Sequence, residues 1–533
     1  MPLLIRNLVL APGEGDELLR TTLTRRFALR DDDIRDLRLV RKSVDARKKP
    51  QVKFVCTLRC TLADEAGFLA RYGDDPDVQV VMEPPRQTFP RLVHPGRILI
   101  AGMGPAGLFA ALRLADYGLC ATVLERGKPV EDRTRDVQAF WARGELDPES
   151  NVQFGEGGAG AFSDGKLTTR VNDPNISYVI EKLVAFGAPP EIGYLAKPHI
   201  GTDRLCTVVA SIRRFLEQRG FDIRFRSCLT DLVSRGGRIG AGVVNGTEEI
   251  PCRFLVLAPG HSARDTYAML ARRGILMQQK PFAVGVRVEH PQPLINRIQY
   301  GKGHHPSLPP ADYALAYNDR ATGRSAYSFC MCPGGVVVAG SSEEGGVVTN
   351  GMSTYLRNSP AANSALVVTV GPADFGDDSP LAGVEFQRFL ERRAFAAGGG
   401  GYRAPAQNLM AFVEAKTGGR VASSYRPGVR EVPLGEIFPA AVTDTLRDGI
   451  RFFDRKMRGF LTAEATLTGV ETRTSAPVRV GRGEDFQAVG LAGLYPAGEG
   501  AGYAGGIMSA ALDGIRVADA IANQISAQEG SSI

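Results

Sequence analysis

The chain has 533 residues, of which 44% are hydrophobic and 23% are charged, so it is neither an intrinsically disordered nor a fibrous protein. Its 64 basic and 58 acidic residues leave a formal net charge of only +6, which argues against a dedicated nucleic-acid binder. At roughly 100 to 200 residues per domain, we expect two to four domains.

The N-terminal sequence lacks the basic segment, apolar core and cleavage site of a secretory signal. No stretch approaches the ~18 uninterrupted apolar residues of a membrane span. We therefore expect a cytoplasmic protein with no membrane partner. The eight cysteines are scattered along the chain, and we interpret them as thiols rather than as a disulfide framework.

Residues 1–84 predict a small α/β domain with the element order βαββαβ, which is typical of a ferredoxin-like fold. The predicted strands are 3–10, 34–44, 51–62 and 78–82, and the predicted helices are 16–27 and 64–72. Residues 85–96 are rich in proline and are interpreted as a stiff linker.

A basic cluster occurs at the end of the predicted hairpin in this first domain. It consists of Arg41, Lys42, Arg47, Lys48 and Lys49. The cluster would suit phosphate contacts, or it is a solvated hairpin end. Sheets of this type that bind RNA display aromatic stacking residues, and the two middle strands offer only Phe54, so nucleic acid is disfavoured as a partner.

Residues 97–126 carry the strongest chemical signal. A buried strand leads into Gly102-x-Gly104-x-x-Gly107, an amphipathic helix follows, and a second strand ends at Glu125. This is the context of a dinucleotide-binding fingerprint. Gly102 allows the tight turn, Gly104 lets a pyrophosphate approach the backbone, and Gly107 lets the helix sit close to the sheet. Glu125 falls where a carboxylate would accept hydrogen bonds from an adenosine ribose.

Three distant segments favour an extended cofactor over a single nucleotide. Residues 254–264 form an apolar strand broken at Pro259-Gly260, residues 154–167 form a glycine-rich loop, and residues 493–522 contain a strand, a glycine-dense loop and a helix. An FAD lying from adenine to isoalloxazine across the domain would need all three. The sequence shows no second strand–GxGxxG–helix unit for a separate nicotinamide domain.

These segments resemble flavoproteins of the glutathione reductase type. By that resemblance, Glu499 would hold the ribityl chain, and Gly505, Gly506 and Ile507 would present amides to the flavin pyrimidine edge. One departure is Pro259, which stands where those proteins usually have threonine.

Longer strings, including NVQFGEGGAGAFSDGKL and LYPAGEGAGYAGGI, resemble the bacterial family of uncharacterised FAD-dependent, or NAD(FAD)-utilising, dehydrogenases. The resemblance implies an α/β protein with a Rossmann-like FAD-binding domain (97–279 and 486–533) and an inserted α+β substrate or cap domain (280–485). The predicted cofactor-binding residues are Gly102, Gly104, Pro105, Ala106, Gly107, Glu125, Arg126, Gly157, Gly158, Ser163, Gly165, Lys166, Leu167, Leu229, Ala258, Gly260, Gly498, Glu499, Gly505, Gly506 and Ile507.

Three residues are candidates for catalysis, each with a competing structural interpretation. His199 would donate or accept a proton, or it is a satisfied structural histidine. Lys166 would stabilise an anionic flavin, or it serves a phosphate or the surface. Arg473 would bind a substrate carboxylate in bidentate fashion, or it forms a structural ion pair.

Two cysteine pairs are candidates for redox or metal chemistry. Cys330 and Cys332 would relay electrons to or from flavin, or they only pack. On a regular strand such positions lie roughly 6.6 Å apart, near the upper limit for a bridge. Cys56 and Cys60 are about 13 Å apart on a strand, too far for a shared metal, and no metal is expected.

The functional hypothesis is an FAD-dependent oxidoreductase that transfers hydride or electrons between flavin and either an unidentified small molecule or NAD(P)H. Two alternatives are a nucleic-acid-interacting flavoprotein that uses the N-terminal domain and a non-catalytic scaffold with bound FAD.

Overall fold

The structure is a computed structural model that describes residues 2–49, 51–82, 87–93, 96–302 and 304–530. Several residues of the predicted domain boundary and linker, namely 83–86, 94 and 95, lie outside the described residues. Within the described ranges, no helix is long and apolar enough to cross a membrane.

The N-terminal segment forms a four-stranded antiparallel sheet with two helices, in the element order that the sequence predicts. The strands are β1 (Leu3–Leu10), β2 (Ile34–Asp45), β3 (Lys53–Leu62) and β4 (Val78–Val80), and the helices are α1 (Leu18–Phe27) and α2 (Glu65–Tyr72). The strand order is β2-β3-β1-β4. Alternate residues of β3 are buried because one face of the sheet packs on the helices through Phe27 and Phe68.

The next segment contains eight strands and five helices. The strands are β5 (Ile98–Ala101), β6 (Thr122–Leu124), β7 (Asp222–Arg224), β8 (Leu229–Arg235), β9 (Arg238–Val244), β10 (Glu248–Pro251), β11 (Phe254–Leu257) and β12 (Met277–Gln279). The helices are α3 (Pro105–Asp116), α4 (Val130–Arg143), α5 (Ile176–Ala185), α6 (Thr202–Gln218) and α7 (Arg264–Arg272).

The third segment contains ten strands and five helices. The strands are β13 (Phe282–Pro291), β14 (Ala316–Asn318), β15 (Ser325–Cys332), β16 (Val336–Ala339), β17 (Thr349–Met352), β18 (Ala361–Val370), β19 (Ala404–Asn408), β20 (Val429–Glu431), β21 (Thr466–Glu471) and β22 (Val478–Val480). The helices are α8 (Gln292–Tyr300), α9 (Pro372–Phe375), α10 (Ala382–Gly398), α11 (Leu409–Val413) and α12 (Ala440–Lys456). The chain ends with β23 (Leu494–Pro496) and α13 (Ile507–Gly530).

Two large sheets position the candidate site. The first is a parallel sheet of order β23-β11-β5-β6-β7. Read from the β7 edge, its strands are the third, second, first, fourth and fifth along the chain, as in Rossmann-like folds. All residues of β5 and β11 are buried, as expected for central parallel strands covered on both faces. The second is a mostly antiparallel sheet of order β14-β15-β18-β13-β21-β19-β20. The chain leaves the first sheet after β11 and returns to it at β23, beside β11.

The N-terminal sheet docks on the rest of the molecule through its β2 edge. The Lys42 N–H donates to Tyr194 O at 2.8 Å, and the Ala196 N–H donates to Lys42 O at 2.9 Å. On the hairpin end, Lys49 Nζ lies 2.5 Å from Ile298 O, the last turn of α8. The hairpin that carries the basic cluster therefore contacts both neighbouring parts of the chain.

Candidate functional site

The turn between β5 and α3 needs glycine at two of its three fingerprint positions for packing. Gly102 has φ +107°, and a Cβ there would lie 2.1 Å from Ala258 O. A Cβ on Gly107 would lie 1.9 Å from Gly102 O. Gly104, the residue before α3, is different, because its nearest neighbour would be Gly158 Cα at 3.7 Å. A side chain at Gly104 would thus meet the loop 154–167 only at an ordinary contact distance.

The turn before α13 contains a second group of glycines. A Cβ on Gly498 would lie 2.7 Å from the Cβ of Ala106, and a Cβ on Gly500 would lie 2.6 Å from Gly260 O. Gly505 and Gly506 are exposed, and a Cβ on either would have no neighbour within 4 Å. The Gly505 N–H, which the resemblance assigns to flavin, donates to Ser509 Oγ at 3.1 Å.

The glycine-rich loop 154–167 lies against the first residues of both helices. A Cβ on Gly158 would lie 3.0 Å from Gly104 Cα. A Cβ on Gly160 would lie 3.1 Å from Ile507 Cγ1 and 3.8 Å from Pro105 Cγ. The N-termini of α3 and α13, some 400 positions apart in sequence, therefore meet at this loop. The first-turn N–H groups of a helix have no partner within the helix, so both ends carry positive partial charge.

Glu125 holds this loop to the fingerprint turn. Its buried carboxylate accepts the N–H groups of Met103 at 2.9 Å, Gly127 at 2.9 Å and Gly155 at 3.0 Å. A contact between Glu125 and a ribose stays a prediction. What the structure shows is a carboxylate that fastens three backbone segments together.

Several other predicted cofactor residues make contacts within the protein. Arg126 pairs with Glu149 and Asp265 and stacks on Phe154, and the two carboxylates raise its pKa despite burial. Ser163 Oγ donates to Gly160 O at 2.7 Å and accepts the Gly165 N–H at 3.0 Å.

Leu167 and Leu229 are buried in two apolar clusters of the parallel-sheet region. A Cβ on Gly157 would lie 3.1 Å from a Val209 methyl, so this glycine packs against α6.

Glu499 presents a carboxylate with no hydrogen-bond partner among the described residues, although water reaches part of the side chain. Burial raises its pKa to about 7, and the charge of Lys280 opposes that rise. Lys280 itself donates to Ser475 Oγ at 2.6 Å. Beside Glu499, the Tyr267 hydroxyl donates to Gly500 O at 2.9 Å. A carboxyl group of this kind is suited to accept hydrogen bonds from ligand hydroxyls.

Lys166 lies in a charged cluster at the far end of the loop 154–167. Its ammonium contacts Asp164 at 2.5 Å and donates to Met331 O. Asp164 also accepts the Arg357 guanidinium at 2.5 and 2.9 Å and the Ser353 hydroxyl. Despite burial, the two cations hold the pKa of Asp164 well below its usual range. One carboxylate between two cations leaves this cluster with a net positive charge.

His199 and Arg473 have structural partners. His199 Nε2 lies 2.9 Å from Tyr355 O, the two rings stack, and burial with the nearby Arg357 lowers the pKa of the histidine. Arg473 donates hydrogen bonds from Nε and Nη2 to the Glu391 carboxylate, both at 3.1 Å, and from Nη1 to Ser342 Oγ at 2.5 Å. Arg473 therefore forms a structural ion pair, because Glu391 occupies the guanidinium nitrogens that would bind a substrate carboxylate.

Sequence reasoning missed His261 and Arg287. Half-buried His261 follows Gly260, and burial with the charges of Arg473 and Arg264 lowers its pKa to about 3, so its ring is neutral at pH 7. Its place directly after the Pro259-Gly260 turn is a signal that would have found it. Arg287 is fully buried and pairs with Glu471 at 2.7 and 3.0 Å. No sequence pattern marks that pair.

The basic cluster of the N-terminal hairpin is partly neutralised within the protein. Lys42 contacts Asp16 at 2.5 Å and lies over the ring of Phe54, and Arg47 pairs with Asp45 at 2.8 Å. These contacts reduce the charge that phosphates would meet. Elsewhere, no group of three His, Cys, Asp or Glu residues in the described ranges is placed to hold a metal ion.

The arrangement fits an extended dinucleotide. Only backbone meets where Gly104 and Gly158 approach each other, the N-termini of α3 and α13 lie beside them, and the Glu499 carboxylate has no hydrogen-bond partner among the described residues.

Two families match this chain. The family described as FAD-dependent protein, C-terminal domain-like matches residues 281–474, and a domain of unknown function, DUF8436, matches residues 1–61. An uncharacterized protein of Clostridium beijerinckii is 47% identical over 526 residues, which cover 98% of each chain. The chain therefore belongs to the same family as this uncharacterized protein, and its residues 281–474 match a domain of FAD-dependent proteins. The similarity therefore extends beyond residues 281–474 to nearly the whole length of the chain.

Solved flavoprotein structures are more distant. The flavin-dependent halogenase CmlS has a TM-score of 0.37 at 13% identity, covering 81% of this chain and 59% of that chain. The flavin-dependent brominase Bmp2 has a TM-score of 0.36 at 14% identity, covering 81% and 80%. An L-amino acid deaminase of Proteus myxofaciens has a TM-score of 0.34 at 11% identity, covering 84% and 93%. Similarity at this level does not extend to a reaction.

Proposed function

We propose that this FAD-dependent family protein is an oxidoreductase in which FAD lies extended along the loop 154–167. The observation that carries the proposal is the meeting of the α3 and α13 N-termini at Gly160. Helix N-termini favour negative charge, so one end suits a pyrophosphate and the other suits the edge of a flavin where charge collects on reduction.

The residues would divide the cofactor between them. The turn at Gly104 and the facing Gly158 would receive the pyrophosphate, because backbone rather than side chains borders that space. Glu499 would accept hydrogen bonds from the ribityl hydroxyls, since its carboxylate has no partner among the described residues. Glu125 would keep the fingerprint turn and the loop in register through its three backbone contacts.

Bound FAD would supply a two-electron acceptor, and the surrounding residues would set its charge and protons. The positive cluster of Lys166 and Arg357 would favour an anionic partner. His261 would add no charge at pH 7, because burial and the nearby Arg473 and Arg264 lower its pKa to about 3. The electron donor would be a small-molecule substrate or NAD(P)H, which would reach the flavin without a separate nicotinamide domain.

The test is the flavin content of the purified protein and of a Gly104→Trp variant. We expect a yellow protein that releases FAD on denaturation and a variant that retains less than about a tenth of that content, because an indole would fill the pyrophosphate space. Val9→Trp is the matched control, since Val9 is 43% exposed on the N-terminal sheet.

A colourless wild-type protein that cannot be reconstituted with FAD would contradict the proposal. Full FAD content in Gly104→Trp would contradict the placement of the cofactor. Anaerobic addition of NADH, NADPH or a metabolite panel, followed by the flavin colour, then identifies the donor.

A further inference from the structure

β15 carries Cys330 and Cys332 at a β-bulge. Opposite β18, Phe329 pairs with Ala365 and Cys332 pairs with Asn363, so three steps along β15 match two steps along β18. Cys330 has φ +44°, a left-handed conformation that is unfavourable for residues other than glycine. Such backbone conformations persist where the surroundings enforce them, and they cluster at functional sites.

At the bulge, the side chain of Cys332 lies close to the backbone of Cys330. Cys332 Sγ turns back toward its neighbour and lies 3.3 Å from Cys330 O. In a regular strand, positions i and i+2 are about 6.6 Å apart, near the upper limit for a bridged pair. The bulge interrupts this regular spacing at the cysteine pair.

The two thiols differ in accessibility in the way that an exchange pair requires. Cys330 is exposed, whereas Cys332 is only 1% exposed. An accessible thiol that reacts first and a neighbouring buried thiol that resolves the product are the parts of a reversible redox pair.

Two cations contact the successive backbone carbonyls of Cys330 and Met331. Lys166 Nζ donates to Met331 O, and Arg287 Nη1 donates to Cys330 O at 3.2 Å. Both charges lower the cost of a transient thiolate. Burial nevertheless raises the pKa of Cys330 to about 12 and also raises the pKa of Cys332, so both groups rest as protonated thiols.

The loop 154–167 connects this pair to the proposed cofactor site. Gly160 contacts the first residues of α3 and α13, and Lys166, six positions later, contacts β15 between the two cysteines. Six residues span at most about 20 Å even when fully extended. The loop 154–167 therefore contacts both the N-termini of α3 and α13 and the strand that carries the thiols.

We propose that Cys330 and Cys332 form a dithiol–disulfide couple that exchanges electrons with the flavin. The proposal rests on the proposed function for its redox partner. In the oxidising direction, two S–H bonds break, one S–S bond forms, and the two electrons and two protons pass to oxidised flavin, which becomes its dihydro form. The reverse direction returns two thiols and oxidised flavin.

Peptide mapping of the holoprotein tests the bond itself. Trypsin releases residues 325–357 as one peptide, which contains Cys330 and Cys332 and none of the other six cysteines. After air oxidation and alkylation under denaturing conditions, we expect this peptide to be unalkylated and lighter by two hydrogens than its reduced form. Complete alkylation of both cysteines in the oxidised holoprotein would overturn the proposal.

Anaerobic reductive titration tests the coupling to flavin. We expect oxidised wild-type holoprotein to take up about four electrons per flavin, and Cys330→Ser and Cys332→Ser to take up about two, since each couple accepts two electrons. Cys206→Ser is the matched control, because this thiol lies near Ala161 on the same loop and has no cysteine neighbour, so it should behave as wild type.

The outcomes separate the two proposals. A protein without flavin contradicts the proposed function. A flavin-containing wild type that takes up only about two electrons, with both cysteines alkylated, contradicts the thiol couple alone. Mapping of the wild-type peptide decides the question even where a serine variant fails to fold.

Discussion

The glycine-rich turns before α3 and α13, here called the two helix openings, have similar sequences but use their glycines for different purposes. At α3, Gly102 and Gly107 are packed so closely that a Cβ would lie about 2 Å from backbone oxygens. At α13, Gly505 and Gly506 have open space around them. Glycine in the first turn permits the strand and helix to pack, whereas glycine in the second leaves room at a helix N-terminus.

The comparison separates residues needed for folding from residues that face a ligand. A fingerprint glycine that is closely surrounded by protein is needed for the packing of the helix on the sheet, and its replacement should lower stability. A glycine in open space is a candidate for contact with a ligand, and its replacement should leave stability unchanged. Gly104 lies between the two groups, because a Cβ there would meet Gly158 Cα at an ordinary contact distance of 3.7 Å.

Gly107→Ala should have the largest effect. Its Cβ would lie 1.9 Å from Gly102 O, so α3 must move away from β5, and we expect a loss of about 3 kcal/mol or more in stability. The unfolding midpoint or the yield of soluble protein measures this loss. Gly240→Ala, whose Cβ would lie 3.6 Å from Val233 O, is the control. Equal stabilities of the two variants would contradict the conclusion that close packing requires glycine at position 107.

Glu499→Gln should change how stability depends on pH. Burial raises the carboxyl pKa from 4.5 to about 7, so the folded state holds a proton that the unfolded state releases between these values. The stability of the flavin-free wild type should therefore fall as pH rises from about 4.5 to 7 and then level off.

The variant lacks this titration, so at pH 8 it should be the more stable protein, by less than roughly 3 kcal/mol because water reaches part of the side chain. Melting curves across this pH range, with exposed Glu464→Gln as the control, measure the difference. Parallel wild-type and variant profiles would show that the second opening does not bury this carboxyl.

Gly505→Leu should have the smallest effect on stability and a selective effect on binding. With no neighbour within 4 Å, the new side chain should change stability by less than about 0.5 kcal/mol. It would project into the space at the start of α13, and we expect FAD affinity to fall at least about tenfold, or about 1.4 kcal/mol. Unchanged affinity measured by flavin titration would place the cofactor elsewhere.

Elements with strong local patterns were predicted best. The fingerprint predicts β5, the turn, α3 and the strand before Glu125, and β3 shows the alternating burial expected of a half-buried strand. Helix α13 begins at Ile507, one residue after the predicted start near Gly506. These features follow from spacing along a continuous segment, which the sequence displays directly.

The partners of charged and reactive side chains were not predictable in this way. Nothing in the residues around Arg473 indicates that Glu391 occupies its guanidinium. The left-handed backbone of Cys330 depends on its pairing with β18, and the contact of Lys166 with Met331 joins positions 165 residues apart.

The sequence by itself determined the dinucleotide turn, the order of the N-terminal elements and the presence of a second glycine-dense helix opening. Only the tertiary structure decided that the loop 154–167 joins the two openings, that Glu125 fastens that loop, and that two thiols share a bulge beside Lys166. The physical reason is that backbone preferences act over a few neighbouring residues, whereas ion pairs and close packing depend on which distant segments the fold brings together.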